Sequence, residues 1–410
     1  MAKAVLIVCD GMGDLPDARG RTPLSAARKP NMDRLAREGI NGLMHTIGRG
    51  IIPGSDTAHL ALFGYDPRCY YSGRGVFEAL GAGLKLEHGD VAFRCNFATV
   101  GKGMGIIDRR AGRIGSAEAK VLGKALDGVV IGGAKIIFKP TVEHRAALVL
   151  RGKGLSCRIT DADPHEADNA RVLMAKPLDD SKEAKRTAGI VNEFVRKSHE
   201  ILEKHPLNLR RKAAGLLPAN VALPRGAGIY EKPPLLGERF GIKAGCVAGG
   251  ALYKGVAKFV GMDVVDVKGA TGGLDTDVMA KGKAALALLK KGYDFAFIHV
   301  KGTDNCGHDG DFDGKRKMIE RIDAMVGLVM KGCGKGTFIA VTADHTTSCM
   351  KKRHSSEPVP FALWGPGLRG DEVQRFDELS CAKGGLGQFK GLAVMPMLLD
   401  LMGKEHVYGS

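Results

Sequence analysis

Three short, predominantly apolar segments, each followed within a few residues by acidic or imidazole side chains, constrain the fold of this chain more than any other feature. They run from Lys3 to Cys9, from Asp294 to Val300 and from Gly336 to Thr342. Predominantly apolar runs of this length are typical of strands covered on both faces of a parallel sheet. Helical patterns from Lys281 to Lys291 and from Gly314 to Lys331 alternate with the strands. The order predicts an α/β fold with a mostly parallel sheet flanked by helices.

The middle of the chain has a different composition. Segments with β character cover Asp90–Val100, Val129–Lys139 and Arg145–Leu150. A long polar helix follows from about Asp180 to Lys204, and we expect it to lead back to the domain that contains the first apolar strand. Residues 101–212 carry 23 Lys and Arg against 14 Asp and Glu, a balance of +9 out of +16 for the 410-residue chain. We expect a smaller α+β domain, residues 87–180, inserted into a discontinuous domain made of residues 1–86 and 181–410.

The net charge and the cysteine content limit which kinds of partner and which redox environment suit this chain. The net charge of +16 favours an anionic partner, and a phosphate ester, a nucleic acid and a membrane surface all fit it. An aromatic content of only 6% weakens the nucleic-acid interpretation. The first apolar run is too short for a signal segment or a membrane span. Nine cysteines without a C-x-x-C pair indicate a reduced protein, which we expect in the cytoplasm.

Polar side chains follow each of the three predicted strands. Because ligands bind at the carboxyl ends of the strands in an open parallel sheet, these side chains are the first candidates for chemistry. They are Asp10 after the first strand, Asp304 and His308 after the second, Asp344 and His345 after the third, and His354 nine residues further on. A single aspartate at a strand end is equally typical of a helix cap. The recurrence at three strands favours a divalent metal site with carboxylate and imidazole ligands.

Ser55 is the candidate nucleophile. It follows a Pro53-Gly54 turn and opens the segment Ser55-Asp-Thr-Ala-His-Leu-Ala-Leu62, which has the pattern of a helix start. A serine at this position is often only an N-cap. Beside a metal site, however, metal coordination would activate its hydroxyl as a nucleophile, and the free backbone N–H groups at the helix start would form an anion site. A short helix is also expected from Asn31 to Glu38, with Asn31 as its N-cap.

Taken together, these residues resemble the alkaline phosphatase superfamily and, more closely, the archaeal-type 2,3-bisphosphoglycerate-independent phosphoglycerate mutase family. The resemblance covers essentially the whole chain. The motifs that carry it are Asp10-Gly11-Met12, Pro53-Gly-Ser-Asp-Thr-Ala58, Phe93-Arg-Cys-Asn-Phe-Ala-Thr99, Asp108-Arg-Arg-Ala-Gly-Arg-Ile114, Asp161-x-Asp163-Pro-His165, Arg225-Gly-Ala-Gly228, Asp304-x-x-x-His308, Thr342-Ala-Asp-His-Thr-Thr347 and His354. It implies an alkaline-phosphatase-like core.

The resemblance also implies two divalent metal ions, of manganese, zinc, cobalt or magnesium, and no 2,3-bisphosphoglycerate. One ion would be held by Asp304, His308 and His354. The other would be held by Asp10, Ser55, Asp344 and His345. Ser55 would accept the phosphoryl group as phosphoserine and return it to the other hydroxyl of glycerate. The implied reaction interconverts 3-phosphoglycerate and 2-phosphoglycerate in glycolysis and gluconeogenesis.

The inserted domain would bind the rest of the substrate. Arginine matches a carboxylate bidentately, and Arg94, Arg109, Arg110 and Arg113 lie in this basic part of the chain. The alternative for each of the four is a solvated surface arginine without a role in binding. Further expectations are that Asn96, Asp108 and Lys254 contact the substrate and that Asp163 and His165 move protons on the glycerate hydroxyls.

Other functions stay open at this level. A metal-dependent phosphatase or phosphotransferase of the same superfamily, acting on another small phosphate ester, would use the same core. The charge would also allow an RNA-binding or scaffolding role, for which the metal and nucleophile residues have no use. We expect a small-molecule substrate, with neither a nucleic acid nor a membrane as partner. The oligomeric state is not determined by these patterns.

Overall fold

The computed structural model describes residues 2–165 and 170–405. Its strands are β1 Lys3–Cys9, β2 Ile40–His45, β3 Val91–Val100, β4 Ile106–Asp108, β5 Val130–Ile131, β6 Ala134–Pro140, β7 Arg145–Arg151, β8 Val221–Ile229, β9 Ala244–Val247, β10 Asp263–Val264, β11 Phe295–Val300, β12 Thr337–Thr342, β13 Thr346–Ser348, β14 Arg353–Ser355, β15 Val359–Trp364 and β16 Gly387–Lys390.

Its α-helices are α1 Pro23–Ala26, α2 Pro30–Arg37, α3 Ser55–Leu62, α4 Pro67–Tyr70, α5 Arg74–Gly81, α6 Ser116–Lys124, α7 Lys182–Glu203, α8 Pro206–Ala213, α9 Leu236–Phe240, α10 Ala251–Phe259, α11 Val278–Lys290, α12 Gly302–Asp309, α13 Phe312–Gly332, α14 Glu378–Cys381 and α15 Val394–Leu401. Among the helices of the described residues, none has the length and apolar composition that crossing a membrane requires.

The chain forms two compact units, one of residues Met1–Tyr70 and Pro233–Ser410 and the other of Tyr71–Lys232. The first contains an eight-stranded sheet in the order β10-β9-β11-β1-β12-β15-β2-β16. Five adjacent strands, β10, β9, β11, β1 and β12, are parallel to one another, whereas β15 runs antiparallel to both of its neighbours. The predicted α/β fold with a mostly parallel sheet is confirmed.

The three predicted core strands occupy adjacent positions in this sheet, since β1 lies between β11 and β12. Ile7 pairs in register with Ile298 on one side and with Val341 on the other. These strands are buried because the sheet is covered on both faces, which is why their sequences are apolar without alternation. Their carboxyl ends therefore meet at one edge of the sheet.

The second unit contains an antiparallel sheet in which β3 pairs with both β7 and β8. Its bounds are wider than the predicted 87–180, at both ends. On the amino-terminal side, α5 packs against β3 and β8. On the other side, α7 buries Ile190, Val191 and Phe194 in the same core as β3. The helix predicted to lead back to the first domain thus belongs to the second, because its apolar face is covered there.

Local structure adds detail in three places, and at one of them, Asn31, the prediction was wrong. The segment with β character predicted at Val129–Lys139 is a hairpin, because Gly132 and Gly133 have φ of 55° and 76° and form the two-residue turn between β5 and β6. Asn31 lies inside α2, whose N-cap is Lys29, and the Asn31 amide donates to the Asp323 carboxylate instead. The polar segment after Val300 is helical over α12.

Candidate active site

Asp10 directly follows strand β1 and lies at the edge of the sheet where the parallel strands end. Its N–H donates to the Val300 carbonyl of β11 at 2.9 Å, which continues the parallel ladder, and its side chain is completely buried. The next residue, Gly11, turns the chain with φ of +62°. A Cβ atom on Gly11 would lie 2.4 Å from the Thr347 hydroxyl and 2.9 Å from the Asp304 Cβ. Glycine is therefore required where the three segments meet.

Asp10, Asp344 and His345 form the first group of side chains, all of them buried. The Nε2 atom of His345 lies 3.2 Å from Asp344 Oδ2 and 3.5 Å from Asp10 Oδ1. The hydroxyl oxygen of Ser55 is 3.1 Å from the same nitrogen. Ser55 is the first residue of α3, as the sequence predicts, and Gly54 is the N-cap. The serine thus lies beside the cluster and in the first turn of a helix.

Asp304, His308 and His354 form the second group. Asp304 and His308 are four residues apart on α12, so their side chains share one face of the helix. Asp304 Oδ1 lies 3.3 Å from His308 Nε2 and 3.5 Å from His354 Nε2. The Nδ1 atoms of the two rings hydrogen-bond to the Lys352 and Pro53 carbonyls at 3.1 and 3.0 Å. These bonds orient both Nε2 atoms toward the carboxylate.

The two groups share one space. The His345 and His354 rings stack with centroids 3.7 Å apart. Ligand atoms of Asp304, His345 and His354 lie within 4.8 Å of one another, so His345 connects the two groups. The seven residues that the sequence assigned to metal binding and nucleophilic attack therefore lie around the carboxyl ends of β1, β11 and β12. His308 differs from the others of this set because it is exposed and, although 3.3 Å from Asp304, lies outside both sets of mutually close ligand atoms. The individual roles of the seven remain proposals.

The electrostatics of the cluster are dominated by three buried carboxylates. Burial and the neighbouring Asp10 charge raise the pKa of Asp344 to about 7. Burial also raises the pKa of Asp10, but Lys301 and His299 outweigh it and hold that pKa well below its usual range. Burial lowers the pKa of His345 to about 3, so its imidazole is neutral near pH 7.

The donor set fits divalent cations. Asp10 Oδ1 and Asp344 Oδ2 are buried without a hydrogen-bond partner, which is costly unless another group compensates them. Both atoms lie beside the neutral His345 nitrogen. Carboxylate oxygens and neutral imidazole nitrogens are ligands for zinc and manganese. The cluster is thus a candidate metal centre.

The structure adds residues that the sequence analysis missed. Lys301 Nζ lies 2.6 Å from Asp304 Oδ2 and 3.4 Å from Asp10 Oδ2, one carboxylate from each group. His299 Nε2 is 3.1 Å from Asp10 Oδ2, to which the Tyr253 hydroxyl also donates. A signal was present for two of them. His299 interrupts an apolar strand, and Lys301 follows that strand directly.

Lys254, which the resemblance places near the substrate, pairs with Asp266. Its ammonium nitrogen lies 2.7 Å from Asp266 Oδ1. Lys254 follows Tyr253 in α10, and the Tyr253 hydroxyl donates to Asp10. Lys254 is thus adjacent in sequence to a residue that contacts the cluster, and its ammonium is paired with the Asp266 carboxylate.

In the second unit, Arg109 and Asp163 form a bidentate ion pair. The Arg109 Nε and Nη2 atoms donate to the two Asp163 oxygens at 2.9 and 2.8 Å, and Nη1 donates to the His165 carbonyl at 2.7 Å. Arg225 Nη1 approaches the same carboxylate at 3.4 Å. The His165 ring is exposed, with Nε2 2.8 Å from an Asp161 oxygen. Asp163, fully buried, is thus fixed by arginine, whereas the His165 imidazole faces outward.

The remaining predicted residues of this unit occupy β3 and the turn after β4. Arg94 pairs in register with Arg225 across β3 and β8. Burial and the nearby Arg74 lower the pKa of Arg94 to about 10. Asn96 is buried two residues further along β3. Both Asp108 oxygens accept backbone N–H groups, from Arg110 at 2.6 Å and from Gly112 at 3.0 Å. Asp108 thus shapes the turn that exposes Arg110 and Arg113.

Comparisons with known proteins agree with this architecture. A sequence model described as 2,3-bisphosphoglycerate-independent phosphoglycerate mutase matches residues 36–208. A protein of that name from Methanocaldococcus jannaschii is 49% identical over 409 residues, covering 100% of this chain and 99% of its own length. One from Methanothermobacter thermautotrophicus is 46% identical over 413 residues, with all of both chains covered.

Two solved structures are similar over nearly the whole chain. A Pyrococcus horikoshii protein has a TM-score of 0.86 and 40% identity, covering 100% of this chain and 99% of its own. The cofactor-independent phosphoglycerate mutase of Thermoplasma acidophilum has a TM-score of 0.72 and 37% identity, covering 98% and 99%. With relatives of this identity and coverage, the chain belongs to the 2,3-bisphosphoglycerate-independent phosphoglycerate mutase family.

The close approach at Gly11 generates a stability prediction. Gly11→Ala should lower the free energy of unfolding by about 2–4 kcal/mol, because it combines a left-handed backbone with a clash against Thr347. Gly20→Ala is the matched control, since its φ is +72° and nothing lies within 4 Å of its added methyl. It should cost only about 1–2 kcal/mol of backbone strain. Urea unfolding measures both, and equal losses would contradict the packing argument.

Proposed function

We propose that this protein interconverts 3-phosphoglycerate and 2-phosphoglycerate without 2,3-bisphosphoglycerate. Membership of the family supports the reaction class, because the relatives in Methanocaldococcus jannaschii and Thermoplasma acidophilum carry that activity in their names. The observation that carries the proposal is the position of Ser55. Its hydroxyl lies at a helix start, 3.1 Å from His345, beside three buried carboxylates.

Two divalent cations would be held by the cluster. Asp10, Ser55, Asp344 and His345 would bind one, and Asp304, His308 and His354 would bind the other. The two unpartnered carboxylate oxygens and the inward-facing imidazole nitrogens support this division. When bound, the cations would neutralise phosphoryl charge and favour the ionised serine hydroxyl.

Ser55 would act as the nucleophile. Its Oγ forms a bond to phosphorus as the bond between phosphorus and the substrate oxygen breaks, which leaves phosphoserine and glycerate. The other hydroxyl of glycerate then attacks the phosphoserine, releases the serine and yields the isomeric phosphoglycerate. The backbone N–H groups at the start of α3 lie near this side chain and would stabilise the transferred anion.

The second unit would retain glycerate between the two transfers. We assign the substrate carboxylate to the arginines Arg94, Arg109, Arg110 and Arg113, with Asn96 and Asp108 supporting them and Lys254 contacting phosphate. His165 is the better candidate for moving protons on the hydroxyls, because its ring is exposed. Asp163 is fully buried under two arginines and would act mainly by orienting them. Retention matters because water attacking phosphoserine would turn the mutase into a phosphatase.

Turnover of purified protein on 3-phosphoglycerate, with no added 2,3-bisphosphoglycerate, tests the function directly. We expect 2-phosphoglycerate to form, to be lost after treatment with a chelator, and to return when Mn²⁺ is added back. Formation of inorganic phosphate alone would instead identify a phosphatase. Full mutase activity in protein shown to be free of metal would contradict the two-metal proposal.

Replacing Ser55 by alanine should reduce turnover by at least roughly 10³-fold, since the covalent route is lost while the fold remains. Ser25→Ala is a control, because Ser25 also lies at a helix start but in a capping box. It should keep nearly full turnover. Mass spectrometry of wild-type protein exposed to substrate should find phosphate on Ser55. Substantial turnover in the Ser55 variant would rule out this nucleophile.

The arginines should determine how phosphoserine is partitioned. Arg→Ala at position 94, 109, 110 or 113 should cost on the order of 2–5 kcal/mol of glycerate binding, because a charged carboxylate loses its partner. Each change should then lower the ratio of 2-phosphoglycerate formed to phosphate released. Arg158→Ala is the matched control, an exposed arginine of the same unit paired with Asp179. A ratio unchanged in all four variants would place specificity elsewhere.

A further inference from the structure

Lys315, on α13, is a lysine with no exposed surface. Its ammonium donates three hydrogen bonds, to the Gly13 carbonyl at 2.9 Å, to Asp14 Oδ2 at 2.8 Å and to the Thr347 carbonyl at 2.8 Å. An ammonium has three N–H donors, so each is used. Burying a lysine is unfavourable unless it is fully paired, and this one is.

The three acceptors belong to the two segments that carry the first group of site residues. Gly13 and Asp14 follow Asp10, and Thr347 follows Asp344 and His345. The segments also contact each other directly, since the Thr347 N–H donates to the Gly13 carbonyl at 3.2 Å. The Asp14 carboxylate in turn accepts the Cys349 N–H at 3.1 Å. Lys315 thus joins the segments from a third element.

Thr347 connects this junction to both groups of the cluster. Its hydroxyl donates to Asp304 Oδ1 at 2.7 Å and lies 3.1 Å from His345 Nδ1. Its backbone carbonyl is the one that Lys315 holds. Any shift of the Thr347 backbone would therefore move a hydroxyl that contacts one side chain of each group.

We propose that Lys315 is a positioning residue for the metal centre. It holds residues 10–14 against residues 344–349, so that Asp10, Asp304 and His345 face the same space. This inference rests on the proposed metal-dependent function. It assigns the site's geometry to a charge whose hydrogen bonds go to Gly13, Asp14 and Thr347 and not to the carboxylates and imidazoles of the cluster.

A purely stabilising role is the alternative, and Lys29 provides the comparison. Lys29 is only 1% exposed, and its ammonium lies 3.0 Å from Asp33 in the same unit. Asp33 otherwise accepts the Phe376 N–H, far from the site segments in sequence. Lys29→Met therefore removes a buried lysine charge without touching residues 10–14 or 344–349. Lys315→Met removes a buried lysine charge that is hydrogen-bonded to both of these segments.

The experiment measures Mn²⁺ affinity and melting temperature in chelator-treated wild type, Lys315→Met and Lys29→Met, at a temperature where all three are folded. Both variants should melt earlier. Mn²⁺ affinity should fall by about 10–100-fold in Lys315→Met, as for groups that orient metal ligands, and by less than about twofold in Lys29→Met. An unchanged affinity in folded Lys315→Met would overturn the proposal.

A double variant covers the case in which Lys315→Met does not fold. Lys315→Met with Asp14→Asn removes both charges of the Lys315–Asp14 ion pair, so the melting temperature should recover, while the Gly13 and Thr347 carbonyls still lack the ammonium. Mn²⁺ affinity should stay reduced. Recovery of affinity together with stability would show that Lys315 acts through stability alone. Absence of Mn²⁺ binding in wild type would instead overturn the metal assignment and the inference that rests on it.

Discussion

The mutual repulsion of three buried carboxylates is the constraint on which the rest of this structure depends. Asp10, Asp304 and Asp344 lie at one sheet edge with almost no exposure to solvent. Two unit charges about 4 Å apart repel by about 4 kcal/mol near a protein surface, so the arrangement needs compensation. Lys301 supplies it for two of them, and the Gly11 N–H donates to Asp344. Affinity for divalent cations is the expected consequence of the charge that is left.

Holding like charges together requires a rigid backbone, and the structure supplies it at one junction. Gly11 allows the turn after β1 to approach Thr347 and Asp304 closely, and Lys315 ties the same turn to the Thr347 carbonyl. The central strands on either side set the distances between the segments. The chemistry proposed for Ser55 therefore depends on contacts among residues that are not themselves reacting groups.

Much of the candidate site was predictable because its signals are local. An apolar run followed within a few residues by an aspartate or histidine identifies both a central strand and a candidate functional residue, and Pro53-Gly54 before Ser55 indicates a helix start. Predictions failed where a local sequence pattern is compatible with two different structures. The polar face of α7 suggested a connecting helix, although its apolar face completes the core of the second unit. Asn31 had the composition of an N-cap, but Asp323, nearly 300 residues away, binds its amide.

The sequence by itself determined the fold class, the three core strands, and the acidic, imidazole and serine residues that follow the strand ends and the Pro-Gly turn. Periodicity and turn chemistry encode these features within a few residues. Only the tertiary structure decided that His345 connects both groups, that Lys301 bridges Asp10 and Asp304, and that Lys315 secures the junction behind them. Those contacts depend on the order and register of strands that are distant along the chain. No local pattern carries that information, because it arises only when the sheet assembles.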